Sequence, residues 1–195
     1  MRQLSDDQKD VLAEIFNMGM GKATNALSNI AGNDKEIHFN LPKLTLVSIE
    51  DFLKRFKEKK SKSFILQRYS GDISGTALMF YPSTEDSKFA ALLIDSELPV
   101  EEIVRLESDA LIEIGNIFIN AALSCLTDFL EIEISTHIPE LLYQDSISND
   151  LFQGETAVEI EAGFDIEHIG IKGEIAFVIN NKTLDLLMDT INKMT

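Results

Sequence analysis

The chain has 195 residues, of which 45% are hydrophobic, and a single cysteine, Cys125. That is a folded composition of one domain, or of two fused halves sharing a core, with no intramolecular disulfide. A formal charge of −16 repels phosphate backbones and anionic headgroups, which argues against nucleic-acid binding. No apolar run approaches the roughly 18 residues of a membrane span, and no basic-apolar leader follows Met1, so the expected location is the cytoplasm without membrane insertion.

Residues 5–31 read as a long helix. Ser5 is its cap, Asp6 and Asp7 lie at the positive end of its dipole, and Gly32 stops it. Leu12, Ile15, Phe16, Gly19, Ala23, Ala26, Leu27 and Ile30 recur at helical spacing. Residues 36–40 and 44–49 read as strand interrupted at Pro42. The basic run 54–60 reads as a solvated loop or frayed helix end, with a docking patch for an acidic partner as the sharper alternative. Residues 63–70 and 73–81 form a hairpin turned at Ser70, Gly71 and Asp72, and Ser83 opens a shorter helix through Ile94.

The order then repeats. A helix from about 101 to 130 carries Leu111, Ile114, Phe118, Ala122 and Cys125 on its apolar side, so Cys125 reads as a small core residue. A strand follows near Glu131–His137, ending before Pro139, and a loop holds Gln144–Asn149. Residues 155–163 and 170–179 form a second hairpin, and Asn181–Asn192 a closing helix. The predicted fold class is α+β: a duplicated, pseudo-two-fold domain with repeats at about 1–98 and 99–195, a six-stranded, largely antiparallel sheet, and paired long helices on one face.

The two long helices share more than their periodicity. Asp10, Glu14 and Asn17 recur as Asp109, Glu113 and Asn116, each displaced by 99 positions. The segments 10–27 and 109–126 also agree at Leu12, Ile15, Ala23 and Leu27 and their counterparts Leu111, Ile114, Ala122 and Leu126. On a helix the three polar residues lie along one stripe, away from the apolar positions. A solvated face is the bland reading of any one copy. Recurrence of all three at one offset argues for a role, because neutral drift scrambles a solvated stripe sooner than a core.

The residue types limit that role. No Ser or Cys nucleophile stands beside a His, and no Gly-x-x-x-x-Gly-Lys loop or Cys-x-x-Cys pair is present. A di-metal bundle requires Glu-x-x-His, whereas this motif is Glu-x-x-Asn. His38 and His137 also match at the same offset, without a second ligand nearby, and read as structural. An amide both accepts and donates hydrogen bonds, so it holds a water in fixed orientation, and a neighbouring carboxylate grips a cationic side chain. That pairing suits a protein that completes another protein's active site.

These residues resemble the CheC/CheX/FliY family of chemotaxis phosphatases. Its motif runs Asp or Ser, three residues, Glu, two residues, Asn and, after a longer gap of set length, Pro. Asp109, Glu113, Asn116 and Pro139 match it at the family's spacing, and Asp10, Glu14 and Asn17 match it with Pro42 placed two positions further on. Asn17-Met18-Gly19-Met20-Gly21-Lys22-Ala23 is also similar to the family's first helix. Two motif copies in a chain of this length look most like CheC.

The resemblance implies dephosphorylation of the phospho-aspartate of a CheY-type response regulator. Asn17 and Asn116 would orient the attacking water, and Glu14 and Glu113 would bind the regulator's lysine. Asp10, Asp109, Pro42 and Pro139 would stand at the motif's periphery. It implies no cofactor of this chain's own, the Mg²⁺ coming with the regulator, and CheD as a second partner. Two fused halves already make a pseudo-dimer, so a monomer is expected. The alternative is a non-enzymatic module, a chemotaxis or flagellar-switch platform like FliM or a partner that regulates CheD.

Overall fold

The computed structural model describes residues 4–31, 37–39, 43–58, 63–80, 100–148, 151–152, 156–166 and 171–193. In chain order these form α1 (Asp6–Ala31), β1 (Ile37–Phe39), β2 (Lys43–Ser48), α2 (Ile49–Glu58), β3 (Ser63–Gly71), β4 (Gly75–Phe80), α3 (Val100–Leu130), β5 (Ile134–Thr136), β6 (Glu140–Tyr143), a 3₁₀ turn (Gln144–Ser146), β7 (Thr156–Ile166), β8 (Ile171–Ile179) and α4 (Asn181–Asn192). The helix expected over Ser83–Ile94 lies outside the described residues, as do Pro42 and the end of the basic run.

Local chemistry sets the helix ends. Ser5 Oγ accepts from the Gln8 backbone N–H at 3.2 Å, and Gln8 Oε1 accepts from the Ser5 N–H at 2.9 Å, a reciprocal capping box that begins α1. Asn180 caps α4 by accepting from the Thr183 N–H. Helix α3 ends with Glu131 at φ 54°, and the Ile132 N–H reaches back to the Thr127 carbonyl at 3.2 Å.

All the described strands belong to one antiparallel sheet, in the order β1-β7-β8-β4-β3-β5, with β2 continuing β1 along β7 and β6 continuing β5 along β3. The expected six strands are present, the first in two pieces as expected, and in the second half the strand expected to end before Pro139 resumes beyond it as β6. In the second half the break falls at 137–139, where Pro139 cannot donate to a ladder. β1 and β2 from the first half pair with β7 of the second, while β5 and β6 from the second pair with β3 of the first. The register is symmetric about the Met79–Ile175 pair: one row across the sheet reads Leu44, Ile160, Ile175, Met79, Ile65, Leu141.

The sheet is covered on both faces. On one face α1, α3 and α4 enclose a core including Leu12, Phe16, Met20, Phe118, Ile119, Phe177 and Leu187. Gly19 lets α1 approach α3 closely, since a Cβ there would stand 3.0 Å from the Ala122 Cα. On the other face Phe52, Leu53 and Phe56 of α2 bury a second core against Phe64, Leu66, Leu78 and Phe80. Phe56 packs edge-on to Phe64 and Phe80 at centroid distances of 5.3 and 5.2 Å.

The start of the basic run is neither a loop nor a frayed end. Lys54, Arg55 and Lys57 are the outer side of an ordered amphipathic helix whose apolar side is Phe52, Leu53 and Phe56. Arg55 pairs with Glu159 at 2.6 Å, so it is not a free docking charge. The expectation about apolar runs also needs correction. Ser108–Leu130 is long and apolar enough, by length and composition, to cross a membrane, but its apolar side chains are the core contacts of α3. Cys125 is buried among them, as expected.

Candidate functional site

Each motif copy stands on the outer face of a long core helix. On α1 the apolar positions Leu12, Ile15, Phe16 and Met20 turn inward, which leaves Asp10 and Glu14 exposed and Asn17 half-buried at the edge of the face. Met18, one turn beyond Glu14, is 58% exposed. On α3 the same division leaves Asp109 and Glu113 exposed and Asn116 half-buried. Thus all six helical motif residues reach the surface of their own helix. The remaining member of the first copy, Pro42, is outside the described residues, and so is the side chain of His38.

The second copy is built into the sheet. Gly115 lies directly over β3: a Cβ there would stand 2.7 Å from Ile65 Cγ1. This close approach brings the next residue, Asn116, to Gln67 of β3, a glutamine only 1% exposed. Gln67 Nε2 donates both to Asn116 Oδ1 at 3.3 Å and to the His137 backbone carbonyl at 3.0 Å. Asn120, one turn along α3, donates from Nδ2 to the same Asn116 oxygen. The His137 N–H in turn donates to the Arg68 carbonyl at 2.9 Å, and Arg68 pairs with Glu140 at 3.0 Å.

The connection 137–139 that carries Pro139 is thereby tied to Asn116 through one buried amide. Ile138 within it is 86% exposed. In the second copy Asn116 is thus linked through Gln67 to the backbone of His137, two residues before the motif's proline.

Gln67 and Asn120 are site residues that the motif alone does not single out, although both leave a signal. Asn120 continues the polar stripe four positions beyond Asn116. Gln67 is a polar residue within a strand whose preceding residues are apolar, and a buried one requires hydrogen-bond partners.

Among the described residues the first copy has no equivalent brace. Gly21 occupies the place of Asn120 at the repeat offset. Ala162 occupies the register position of Gln67, two residues along β7 from Ile160 as Gln67 is two along β3 from Ile65. Among the described residues nothing hydrogen-bonds the Asn17 side chain.

The chemistry available is that of exposed carboxylates and amides. Among the described residues no group of three His, Cys, Asp or Glu side chains is placed to hold a metal. Two shallow pockets, one at Val47, Asp51 and Lys54 and one at Gly71, Asp72 and Glu133, contain no motif residue. A polar stripe along the outer face of a helix meets another macromolecule's surface more readily than it encloses a small substrate.

No family model matches the sequence. The chain is 25% identical over 177 residues to the CheY-P phosphatase CheC of Bacillus subtilis, covering 85% of this chain and 84% of that one. Its fold is that of Thermotoga maritima FliY, at a TM-score of 0.77 and 19% identity over the whole of both chains. A Borrelia burgdorferi CheX, solved in complex with CheY, BeF₃ and Mg²⁺, matches at a TM-score of 0.56 and 16% identity, covering 85% of this chain and 97% of that one. The fold and motif-bearing helices define a CheC-like α+β protein. The similarity to CheC and the shared fold support the CheC/CheX/FliY family of chemotaxis proteins.

Proposed function

We propose that this protein hydrolyses the phospho-aspartate of a CheY-type response regulator, using two Glu-x-x-Asn pairs that complete the regulator's own catalytic site. The observation that carries the reading is the disposition of each pair: a solvent-facing glutamate one turn from a half-buried asparagine, repeated on two core helices. The CheC relative, a CheY-P phosphatase, and the CheX neighbour, solved with CheY, support the partner.

In this reading Glu14 or Glu113 pairs with a lysine beside the phosphoryl group and registers the two proteins. Asn17 or Asn116 then holds a water in line with the scissile bond. The water oxygen bonds to phosphorus, the bond from phosphorus to the aspartyl oxygen breaks, and the carboxylate is the leaving group. The water's proton leaves with the phosphate. The divalent cation comes with the regulator.

An acyl phosphate is already labile, so a hundredfold acceleration requires only about 2.7 kcal/mol of transition-state stabilisation, within reach of one positioned amide and one ion pair. Met18 and Ile138 supply exposed apolar surface beside the two sites. The same reading takes the chain as one domain of two repeats, monomeric and cytoplasmic, with CheD as a further partner.

The deciding measurement is phosphate release from labelled phospho-regulator. The double variant Asn17→Ala/Asn116→Ala is expected to lose the acceleration while still unfolding cooperatively, because Gln67 keeps its hydrogen bond to the His137 carbonyl when Asn116 is shortened. Unchanged release would exclude this chemistry, and tight regulator binding without release in the unaltered protein would make the chain a binding module.

A further inference from the structure

We infer that Gln67 and Asn120 are positioning residues for Asn116, and that the second site is pre-organised where the first is not. The inference rests on the phosphatase reading and adds what holds the reacting amide in place.

A backbone carbonyl fixes the sense of the network. The oxygen of His137 can only accept, so the end of Gln67 that meets it at 3.0 Å is the donating Nε2. The same Nε2 lies 3.3 Å from Asn116, so Asn116 presents Oδ1 to it. Asn120 Nδ2 donates to that oxygen as well. With Oδ1 held by two donors, Asn116 has one free end, its Nδ2, which has no partner among the described residues.

The site thus offers N–H groups to an incoming water or phosphoryl oxygen, and the amide does not have to find its orientation during the encounter. Gln67 is 1% exposed and its Oε1 has no partner among the described residues, so burial of this glutamine is costly to the fold. A leucine would fill the strand position without that cost. The first copy, with Gly21 and Ala162 at the corresponding places, lacks both donors.

The test uses each site as the reference for the other, with phosphate release from a phosphorylated CheY-type regulator as the readout. In an Asn17→Ala background only the second site can act. There Asn120→Ala and Gln67→Leu are each expected to lower kcat by roughly threefold to tenfold with KM unchanged, the effect of losing one hydrogen bond to the reacting group. Asn120→Ala improves helix propensity, so folding is not at risk.

The same substitutions in an Asn116→Ala background report on the fold alone, and release by the first site is expected to stay the same. An unaltered second-site kcat would overturn the inference, as would an equal fall at both sites. If the wild-type protein releases phosphate and Asn17→Ala releases none, the inference fails while the phosphatase reading stands on the first site. If the wild type releases none, the reading itself has failed.

Discussion

Tyr69 shows how burial alone sets a residue's chemistry. Its ring is in the main core, its hydroxyl has no partner among the described residues, and desolvation pushes the phenol above its ordinary pKa. Burying that hydroxyl unpaired costs roughly 1–3 kcal/mol, so Tyr69→Phe is expected to raise the unfolding midpoint in denaturant. The linkage has a defined sign. The folded protein keeps this proton to higher pH than the unfolded chain does, so the group's contribution is full below about pH 10 and is lost as pH rises beyond it. The stability gap between Tyr69→Phe and the parent should therefore widen in alkali. A gap that is constant or narrows above about pH 10 would show that the phenol ionises freely in the folded state.

At the scale of elements, the ends of helices depend on single backbone conformations. Glu131 closes α3 at φ 54°, where a side chain is disfavoured and glycine is not. Glu131→Gly is expected to stabilise the protein by up to about 1 kcal/mol, read as a higher denaturation midpoint at unchanged m. A loss of stability would mean that the Glu131 side chain makes a contribution larger than the backbone strain. Helix α2 carries the opposite lesson. Its charged residues dominate the sequence and suggest a loop, yet Phe52, Leu53 and Phe56 at helical spacing are what place it on the sheet. The period is present in 49–58, and the density of lysine and arginine obscures it.

At the scale of the molecule, the exchange of strands makes the halves interdependent. Residues 1–98 alone would leave β1 and β2 without β7, and β3 without β5 and β6. Unpaired edges and an uncovered core face are strongly unfavourable. Neither 1–98 nor 99–195 expressed alone is expected to give a cooperative unfolding transition by circular dichroism, whereas co-expression of the two should restore one. Cooperative unfolding of an isolated half would contradict the exchanged pairing. The same exchange bears on the site, because the connection holding Pro139 comes from the second half and Gln67 from the first.

Much of this is legible along the chain. The long helices, both hairpins, the closing helix and the stripe of Asp, Glu and Asn follow from spacing within a segment, because a helix or hairpin satisfies its own backbone and displays its period locally. The second cover of the sheet, the order of its strands and the brace on Asn116 do not follow. Gln67 and Asn116 are 49 residues apart, and β2 meets β7 across more than half the chain. Contacts of that separation leave no period in the sequence. The tertiary fold decided them, by pairing strand edges and by letting Gly115 bring a helix down onto the sheet.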